Sequence, residues 1–157
     1  MIQDCFTIDA ITGPDTAVDL VLSRHFADMR AGSPEESCHV MTSQGLRNSG
    51  ALLYALRDHS GEVCAVGALK PFKDGVELKS MHTVREKRGL GYGGAVLHSL
   101  LETAKFQGAK AAWLETGTQP GFAAARAMYF SAGFEECQPF GSYTADPLST
   151  YMVLNLS

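Results

Sequence analysis

Hydrophobic and polar positions along the first part of the chain predict a strand followed by a helix. Residues Phe6 to Ile11 are rich in β-branched and aromatic types, which favour a strand. From Asp15 to Arg30 the apolar residues recur at steps of three and four, which predicts an amphipathic helix. These apolar residues are Val18, Val21, Leu22, Phe26 and Met29. The segment from Glu35 to Gly50 has weak periodicity and fits either a short helix or a loop.

A meander of three antiparallel strands is predicted next. The apolar runs Ala51 to Arg57 and Val63 to Leu69 flank a polar turn, as in a β-hairpin. Residues from Val76 to Val84 would alternate between the two faces of a sheet, which predicts the third strand. On a regular strand, Glu77 and His82 would point to opposite sides of the sheet.

Helices and strands alternate in the second half of the chain. Helices are predicted from Ala95 to Phe106 and from Phe122 to Ser131, separated by a strand from Ala111 to Glu115. Two final strands are predicted at Phe134 to Cys137 and Thr150 to Leu156. The order β-α-(α)-β-β-β-α-β-α-β-β contains no internal repeat and no linker, and it predicts one α/β domain over residues 1–157.

Composition excludes several classes of protein. The 157 residues are 45% hydrophobic and 19% charged, which is typical of a globular domain rather than of a disordered chain, collagen or a coiled coil. The formal net charge is −4 and no long basic run occurs, so we expect no nucleic-acid partner. No uncharged stretch approaches the roughly 20 apolar residues that cross a bilayer, so we expect no membrane span. The first residues lack the features of a secretory signal, which predicts a cytoplasmic protein.

The cysteines suggest neither disulfides nor a metal centre. They are widely spaced and form no CxxC pair, at Cys5, Cys38, Cys64 and Cys137. Cys38-His39 is the only adjacent pair of soft ligands, and it lacks two further ligands at suitable spacing. We therefore expect reduced, mostly buried cysteines and no metal.

A glycine-rich loop before the Ala95 to Phe106 helix predicts an anion site. Four glycines lie within six residues, at Gly89, Gly91, Gly93 and Gly94, and bring backbone N–H groups and the positive end of a helix dipole to one point. The alternative is a tight turn that binds nothing. The loop lacks the GK[ST] ending of a nucleoside-triphosphate loop. Its nominal GxGxxG pattern, with Glu115 21 residues after Gly94, belongs to dinucleotide folds, but an antiparallel meander precedes it and too little chain follows.

Two motifs in order resemble the GNAT superfamily of acyl-CoA-dependent N-acetyltransferases. The run RGLGYG, from Arg88 to Gly93, fits that family's [QR]xxGx[GA] signature, and AMYFSAGF, from Ala127 to Phe134, is similar to its later LYxxxGF segment. The runs GALKPF, ELKSM, LETGT and PFGSY are similar to a bacterial, small-molecule branch of the family. The resemblance implies the GNAT fold, a central mixed and mostly antiparallel sheet flanked by helices.

The resemblance also implies an acetyl-CoA site and a catalytic pair. The cofactor site falls on Arg88, Gly89, Leu90, Gly91, Tyr92, Gly93 and Gly94, and on the backbone of Met81, His82 and Thr83. The catalytic tyrosine falls on Tyr129, whose phenol would protonate the departing thiolate. Glu77 stands eleven positions before Arg88, as a base glutamate does in the histone-acetylating branch, and Glu115 is the second candidate. Either carboxylate would alternatively bind the amine electrostatically or be an exposed partner of a lysine.

The acceptor side is less defined by the sequence. Many family members carry an asparagine seven residues before the tyrosine, where this chain has Phe122. Phe140 and Tyr143 lie in a glycine-containing loop and are candidate walls of the acceptor pocket. The expected reaction transfers acetyl directly to a primary amine of a small molecule. The alternatives are a protein or peptide N-acetyltransferase and a non-catalytic acyl-CoA sensor, and homodimers are common in the family.

Overall fold

A computed structural model describes residues 5–32 and 43–157 of the chain. The helices in these ranges are α1 (Thr16–Gly32), α2 (Ser43–Asn48), α3 (Tyr92–Phe106) and α4 (Ala123–Ser131). The strands are β1 (Phe6–Ile11), β2 (Leu52–Asp58), β3 (Val63–Phe72), β4 (Gly75–Thr83), β5 (Ala111–Gly117), β6 (Glu135–Glu136) and β7 (Ser149–Asn155). The predicted order of elements is confirmed, and the open alternative near residue 45 resolves into the short helix α2. The adjacent Cys38 and His39 lie outside the described residues.

Local signals explain where several helices begin and end. The carboxylate of Asp15 accepts a hydrogen bond of 3.1 Å from the N–H of Val18 and so caps the first turn of α1. Gly108 follows α3 with a φ of +84°, a left-handed conformation that suits glycine and ends the helix. Within the two described ranges, no helix has both the length and the apolar character needed to cross a bilayer.

Seven strands form one mixed sheet in the order β1-β2-β3-β4-β5-β7-β6. All neighbouring strands are antiparallel except β4 and β5, which run parallel. The final hairpin is shorter than predicted, since β6 includes only Glu135–Glu136. Phe134, at the predicted start of that strand, is instead buried in the core.

The parallel pair β4 and β5 separates soon after it forms. Only three residue pairs join the two strands, ending at Leu78 and Leu114. Beyond that point β4 stays paired with β3 and β5 stays paired with β7, so a fork opens inside the sheet. Helices α3 and α4 cover one face of the sheet through a core that includes Val96, Leu100 and Tyr129. Helices α1 and α2 cover the other face through Val18 and Leu46.

A bulge in β4 overturns one expectation about side-chain direction. The β3–β4 register shifts between Val66 and Ala68, and Ser80 opposite this shift has a φ of +56°. As a result Leu78 and Met81 both pack toward the core under α3, whereas His82 contacts α1 on the other face. The prediction that Glu77 and His82 point to opposite sides is therefore wrong, because one extra residue reverses the alternation of the strand.

Candidate functional site

The glycine loop leads into the first turn of α3. Gly91 precedes α3 with a φ of +88°, which favours glycine, and its carbonyl accepts the first helical hydrogen bond, from the N–H of Ala95 at 3.0 Å. The N–H groups of Tyr92, Gly93 and Gly94 consequently have no helical acceptor. A Cβ on Gly93 would stand 2.9 Å from the Thr83 hydroxyl oxygen, so this glycine lets the helix approach the end of β4.

A cleft of about 650 Å³ runs from this loop toward the fork in the sheet. The predicted cofactor residues line it together, apart from Leu90, whose side chain is exposed: Met81, His82, Thr83, Arg88, Gly89, Gly91, Tyr92, Gly93 and Gly94. The opposite wall comes from α4 and the segment before it, including Phe122 and Met128. The fork thus continues directly into the cleft.

Three cations at the loop end of the cleft favour a ligand with phosphates. They are Arg85, Lys87 and Arg88. The Nζ of Lys87 lies 3.5 Å from carboxylate oxygens of both Asp58 and Glu62, which ties the segment before the loop to the β2–β3 hairpin. A Cβ on Gly89 or Gly94 would meet nothing within 4 Å, so the backbone there is open to a ligand. Unpaired N–H groups, cations and open backbone together suit the pyrophosphate of an acyl-CoA.

A second, smaller cavity of about 80 Å³ lies where β4 and β5 part. Three ionisable side chains on the two strands line it, namely Glu77, Lys79 and Glu115. Tyr143 closes another side of it. Both carboxylates that the sequence singled out therefore face one space, beside the cleft rather than within it.

The carboxylate of Glu77 has two protein partners. The hydroxyl of Tyr143 donates a hydrogen bond of 2.7 Å to Oε2 of Glu77, and the Nζ of Lys79 donates to the same oxygen at 3.2 Å. Lys79 also donates to the Tyr143 hydroxyl oxygen at 3.2 Å. Burial, followed by the hydrogen bond to Glu77, raises the pKa of Tyr143, so its hydroxyl stays protonated and remains a donor.

Glu115 lines this cavity, whereas Phe140 lies behind its wall. Oε2 of Glu115 accepts a hydrogen bond of 2.5 Å from the hydroxyl of Ser149. Phe140 is buried behind Tyr143, with its ring 5.2 Å from the Tyr143 ring and 5.5 Å from that of Phe72, between ring centres. The structure places Phe140 in an aromatic cluster that supports Tyr143, and Tyr143 is the member of the predicted pair that lines the cavity.

Tyr129 lies at the junction of the cleft and the small cavity and lines both. Helix α4 holds it, and only 4% of the residue is exposed. Among the described residues, no group forms a hydrogen bond with its hydroxyl. Burial raises the pKa of the phenol well above its usual value, so the group keeps its proton at neutral pH. A proton donor at this junction can contact the reacting bond of a ligand that extends from the cleft into the small cavity.

One further contact at the junction was not predicted from the sequence. His25 on α1 also lines both cavities, and its Nδ1 lies 3.0 Å from Nδ1 of His82 on β4. Burial, with smaller contributions from Arg88, Arg24 and Arg85, lowers the pKa of His82 to about 4. One available signal was the position of His25, which falls on the same helical stripe as Val18 and Leu22.

Phe122 occupies the position where many relatives carry asparagine, and it lines both cavities. A Cβ on Gly117 would stand 2.3 Å from the Phe122 ring, so glycine at 117 is what allows the ring to lie there. Arg126 donates hydrogen bonds to the carbonyls of Gly117 and Gln119, at 2.7 and 3.1 Å, and fixes this turn. The chain thus places an apolar ring in the wall of both cavities.

Metal ligands are not grouped in the part of the chain that the structure describes. No three or more histidine, cysteine, aspartate or glutamate side chains there are placed to hold one ion. Cys5, Cys64 and Cys137 are present as free thiols.

Known proteins with sequences similar to this chain are acetyltransferases. The model of the acetyltransferase (GNAT) family matches residues 19–134. Uncharacterized N-acetyltransferase YedL of Escherichia coli (strain K12) is 36% identical over 96% of this chain and 95% of its own length. Uncharacterized N-acetyltransferase YsnE of Bacillus subtilis (strain 168) is 35% identical over 95% and 97%. The IAA acetyltransferase of Azospirillum brasilense is 34% identical over 88% and 89%.

Solved structures share the fold over nearly the whole chain. A Klebsiella pneumoniae structure described as an acyl-CoA N-acyltransferase superposes with a TM-score of 0.79 at 24% identity, covering 97% of this chain and 98% of the other. The yncA acetyltransferase of Salmonella typhimurium, solved with its cofactor acetyl-CoA, superposes with a TM-score of 0.71 at 16% identity, covering 98% and 95%. With the family model spanning most of its length, the chain is an N-acetyltransferase that belongs to the acetyltransferase (GNAT) family.

Proposed function

We propose that this enzyme transfers an acetyl group from acetyl-CoA to a primary amine of a small molecule by direct attack. The observation that carries the proposal is the position of Tyr129 between two connected spaces. One space is lined by the glycine loop and three cations, and the other by two carboxylates. The sequence relatives named N-acetyltransferases support a nitrogen acceptor.

The long cleft suits the donor. The N–H groups at the start of α3 would hold the pyrophosphate, beside the guanidinium groups of Arg85 and Arg88. The edges of β4 and β5 beyond Leu78 and Leu114 have no strand between them, so the pantetheine arm would extend there and pair with the backbone of Met81 to Thr83. The acetyl-CoA bound in the Salmonella typhimurium structure of the same fold supports this donor.

Tyr129 is suited to act as the acid. Acetyl-CoA supplies a thioester, whose carbonyl carbon an amine nitrogen can attack. The thioester would lie at the junction that Tyr129 lines, and the raised pKa of the phenol keeps the proton available when the carbon–sulfur bond breaks. We infer that Tyr129 donates its phenolic proton to the departing sulfur.

Glu77 and Glu115 are suited to bind the ammonium form of the acceptor. Both line the small cavity, and Lys79 and Tyr143 hold one oxygen of Glu77 in place. A fixed carboxylate attracts and orients a cation at low cost in side-chain entropy. These contacts support the binding alternative for Glu77 over the role of proton acceptor. A cavity of about 80 Å³ suits an amino group with a few attached carbons rather than a bulky group.

Release of free thiol from acetyl-CoA, measured across a panel of acceptors, tests the proposed function. The panel includes monoamines, diamines, amino acids, a peptide with a free N-terminus and a peptide containing lysine. We expect turnover with at least one small amine and none with the peptides. Turnover with peptides alone would assign a protein acceptor. Acetyl-CoA binding without turnover on any acceptor would assign the sensor role.

A further inference from the structure

His25 and His82 meet at the wall that the two cavities share. His25 comes from α1 and lines both the cleft and the small cavity, as Tyr129 does from α4. The two imidazole rings are 4.7 Å apart between centres, and their Nδ1 atoms are 3.0 Å apart. A group at this place can contact an amine that enters from the small cavity and attacks a carbonyl at the junction.

The nitrogen–nitrogen distance restricts the protonation of the pair. At 3.0 Å one Nδ1 must donate a proton and the other must accept it. His82 is 9% exposed, and the cations Arg24, Arg85 and Arg88 act on it from α1 and from the segment before α3. It therefore stays neutral at physiological pH. If His25 gains a proton, both of its nitrogens carry hydrogen, and Nδ1 of His82 must then be the acceptor.

We propose that His25 accepts the proton that the acceptor amine gives up, through Nε2, and that His82 is a positioning residue that holds His25 as the Nδ1–H tautomer. The proposal rests on the proposed function. The charged groups of the small cavity agree with it, because this cavity, which His25 lines, carries two carboxylates, Glu77 and Glu115, against one ammonium, Lys79. Among the described residues, the other titratable groups that line this cavity are the protonated phenols of Tyr129 and Tyr143.

The proton balance is complete with these groups. The ammonium form of the amine gives one proton to Nε2 of His25, and the freed lone pair forms the nitrogen–carbon bond. The carbon–sulfur bond breaks and the sulfur receives the proton of Tyr129. The second proton of the new amide nitrogen restores the phenol. His25 then releases its proton to solvent, so one proton leaves per acetyl group transferred.

Nitrogen NMR of the five histidines tests the tautomers without any substrate. Single His25→Asn and His82→Asn variants assign the two signals. We expect His82 as the neutral Nε2–H form from pH 8 to about 5, and His25 as the member of the pair that gains a proton in this range. Finding His82 as the Nδ1–H tautomer at neutral pH, or finding that His82 is the ring that protonates, would overturn the proposal.

Kinetics with the best amine of the panel test the roles. His25→Asn keeps a donor near the Nδ1 position but has no base, so kcat should fall at least 100-fold and the acidic limb of the kcat/KM profile should disappear. His82→Leu should lower kcat roughly tenfold and shift that limb, whereas His82→Asn, which keeps an acceptor, should restore most of the loss.

Two results separate this proposal from the proposed function. If His25→Asn keeps the acidic limb and a kcat within threefold of the wild type, His25 is not the base, although acetyl transfer stands. If the wild type binds acetyl-CoA but transfers nothing to any amine, the proposed function fails and the base assignment fails with it, even where the NMR tautomers are as expected.

Discussion

The hydroxyl of Tyr143 donates a hydrogen bond of 2.7 Å to the carboxylate of Glu77, which lies 66 positions earlier on β4. This contact fixes the loop before β7 against the centre of the sheet and closes the small cavity. Phe140 supports it from behind, since its ring lies 5.2 Å from that of Tyr143. Of the two residues predicted as walls of the acceptor pocket, Tyr143 lines the small cavity and Phe140 packs behind it.

Replacing Glu77 by Gln tests its role toward the amine. The variant keeps the shape and the hydrogen bond from Tyr143 but loses the charge, so we expect KM for the amine to rise about tenfold with kcat changed less than threefold. Tyr143→Phe, the matched control, leaves the charge and should raise KM less. Loss of the acidic limb of the pH profile in Glu77→Gln would identify Glu77 as the base instead.

Gly94 offers a direct test of the phosphate site. Its Cβ would enter open space and its φ is not positive, so substitution there strains nothing, unlike substitution at Gly91. Gly94→Glu places a negative charge at the proposed pyrophosphate position. We expect acetyl-CoA at 100 times its Kd to raise the Tm of the wild type by about 5–10 °C and to leave the Tm of this variant unchanged.

Gly94→Gln is the control for Gly94→Glu, since it has the same size without the charge and should keep part of the shift. An undiminished shift in the Glu variant would place the phosphates elsewhere.

Tyr129→Phe should separate chemistry from binding. The hydroxyl has no hydrogen-bond partner among the described residues, so its removal should leave the Tm and the acetyl-CoA affinity unchanged. The loss of the acid should lower kcat by about 100-fold. Because burial raises the pKa of this phenol, the wild type should show no loss of activity from its ionisation up to pH 10. A kcat within threefold of the wild type would remove Tyr129 from the mechanism.

His82 should make the fold less stable in mild acid. Its pKa is about 4 in the folded protein, against 6.5 in the unfolded chain, so the unfolded state binds more protons between these values. The contribution of neutral His82 to the free energy of unfolding is therefore fully present above pH 6.5. The free energy of unfolding falls by about 1–3 kcal/mol as the pH drops toward 4. Thermal unfolding at pH 7 and pH 4.5 measures this loss. The change in Tm between the two values should be smaller in His82→Asn, and an equal change would contradict the assignment.

The sequence predicted those parts of the site that depend on local patterns. Glycine spacing before an apolar helix singled out the loop that lines the cleft, and two short motifs in order singled out Tyr129, which lines both cavities. Strand alternation failed at Ser80, because a bulge depends on how β3 and β4 pair rather than on the β4 sequence itself. The contact between His25 and His82 was not predicted, for a related reason. It joins residues 57 positions apart and follows from that same reversal of direction.

The residues that line the small cavity could likewise be predicted only in part from the sequence. Glu77 and Glu115 were separate candidates in the sequence, and only the parallel pairing of β4 with β5 brings them to one space. No sequence pattern identified Lys79, two residues after Glu77, as part of the site, because its contact with Tyr143 requires the packing of a distant loop. A motif identifies functional residues within one short segment, whereas the lining of a pocket depends on which strands pair in the fold.

The short pairing of β4 with β5 has a mechanical consequence. In the described part of the chain, the strand pairing between the half-sheet β1–β4 and the half-sheet β5–β7–β6 consists of three residue pairs. Such a joint works as a hinge, and thermal breathing of the two halves should be greatest at the open end, near Thr83 and Gly117. An extended ligand lying between them would supply the missing strand and lock the hinge. Amide hydrogen exchange along both edges should then slow when acetyl-CoA binds, while the outer pair β1–β2 exchanges as before.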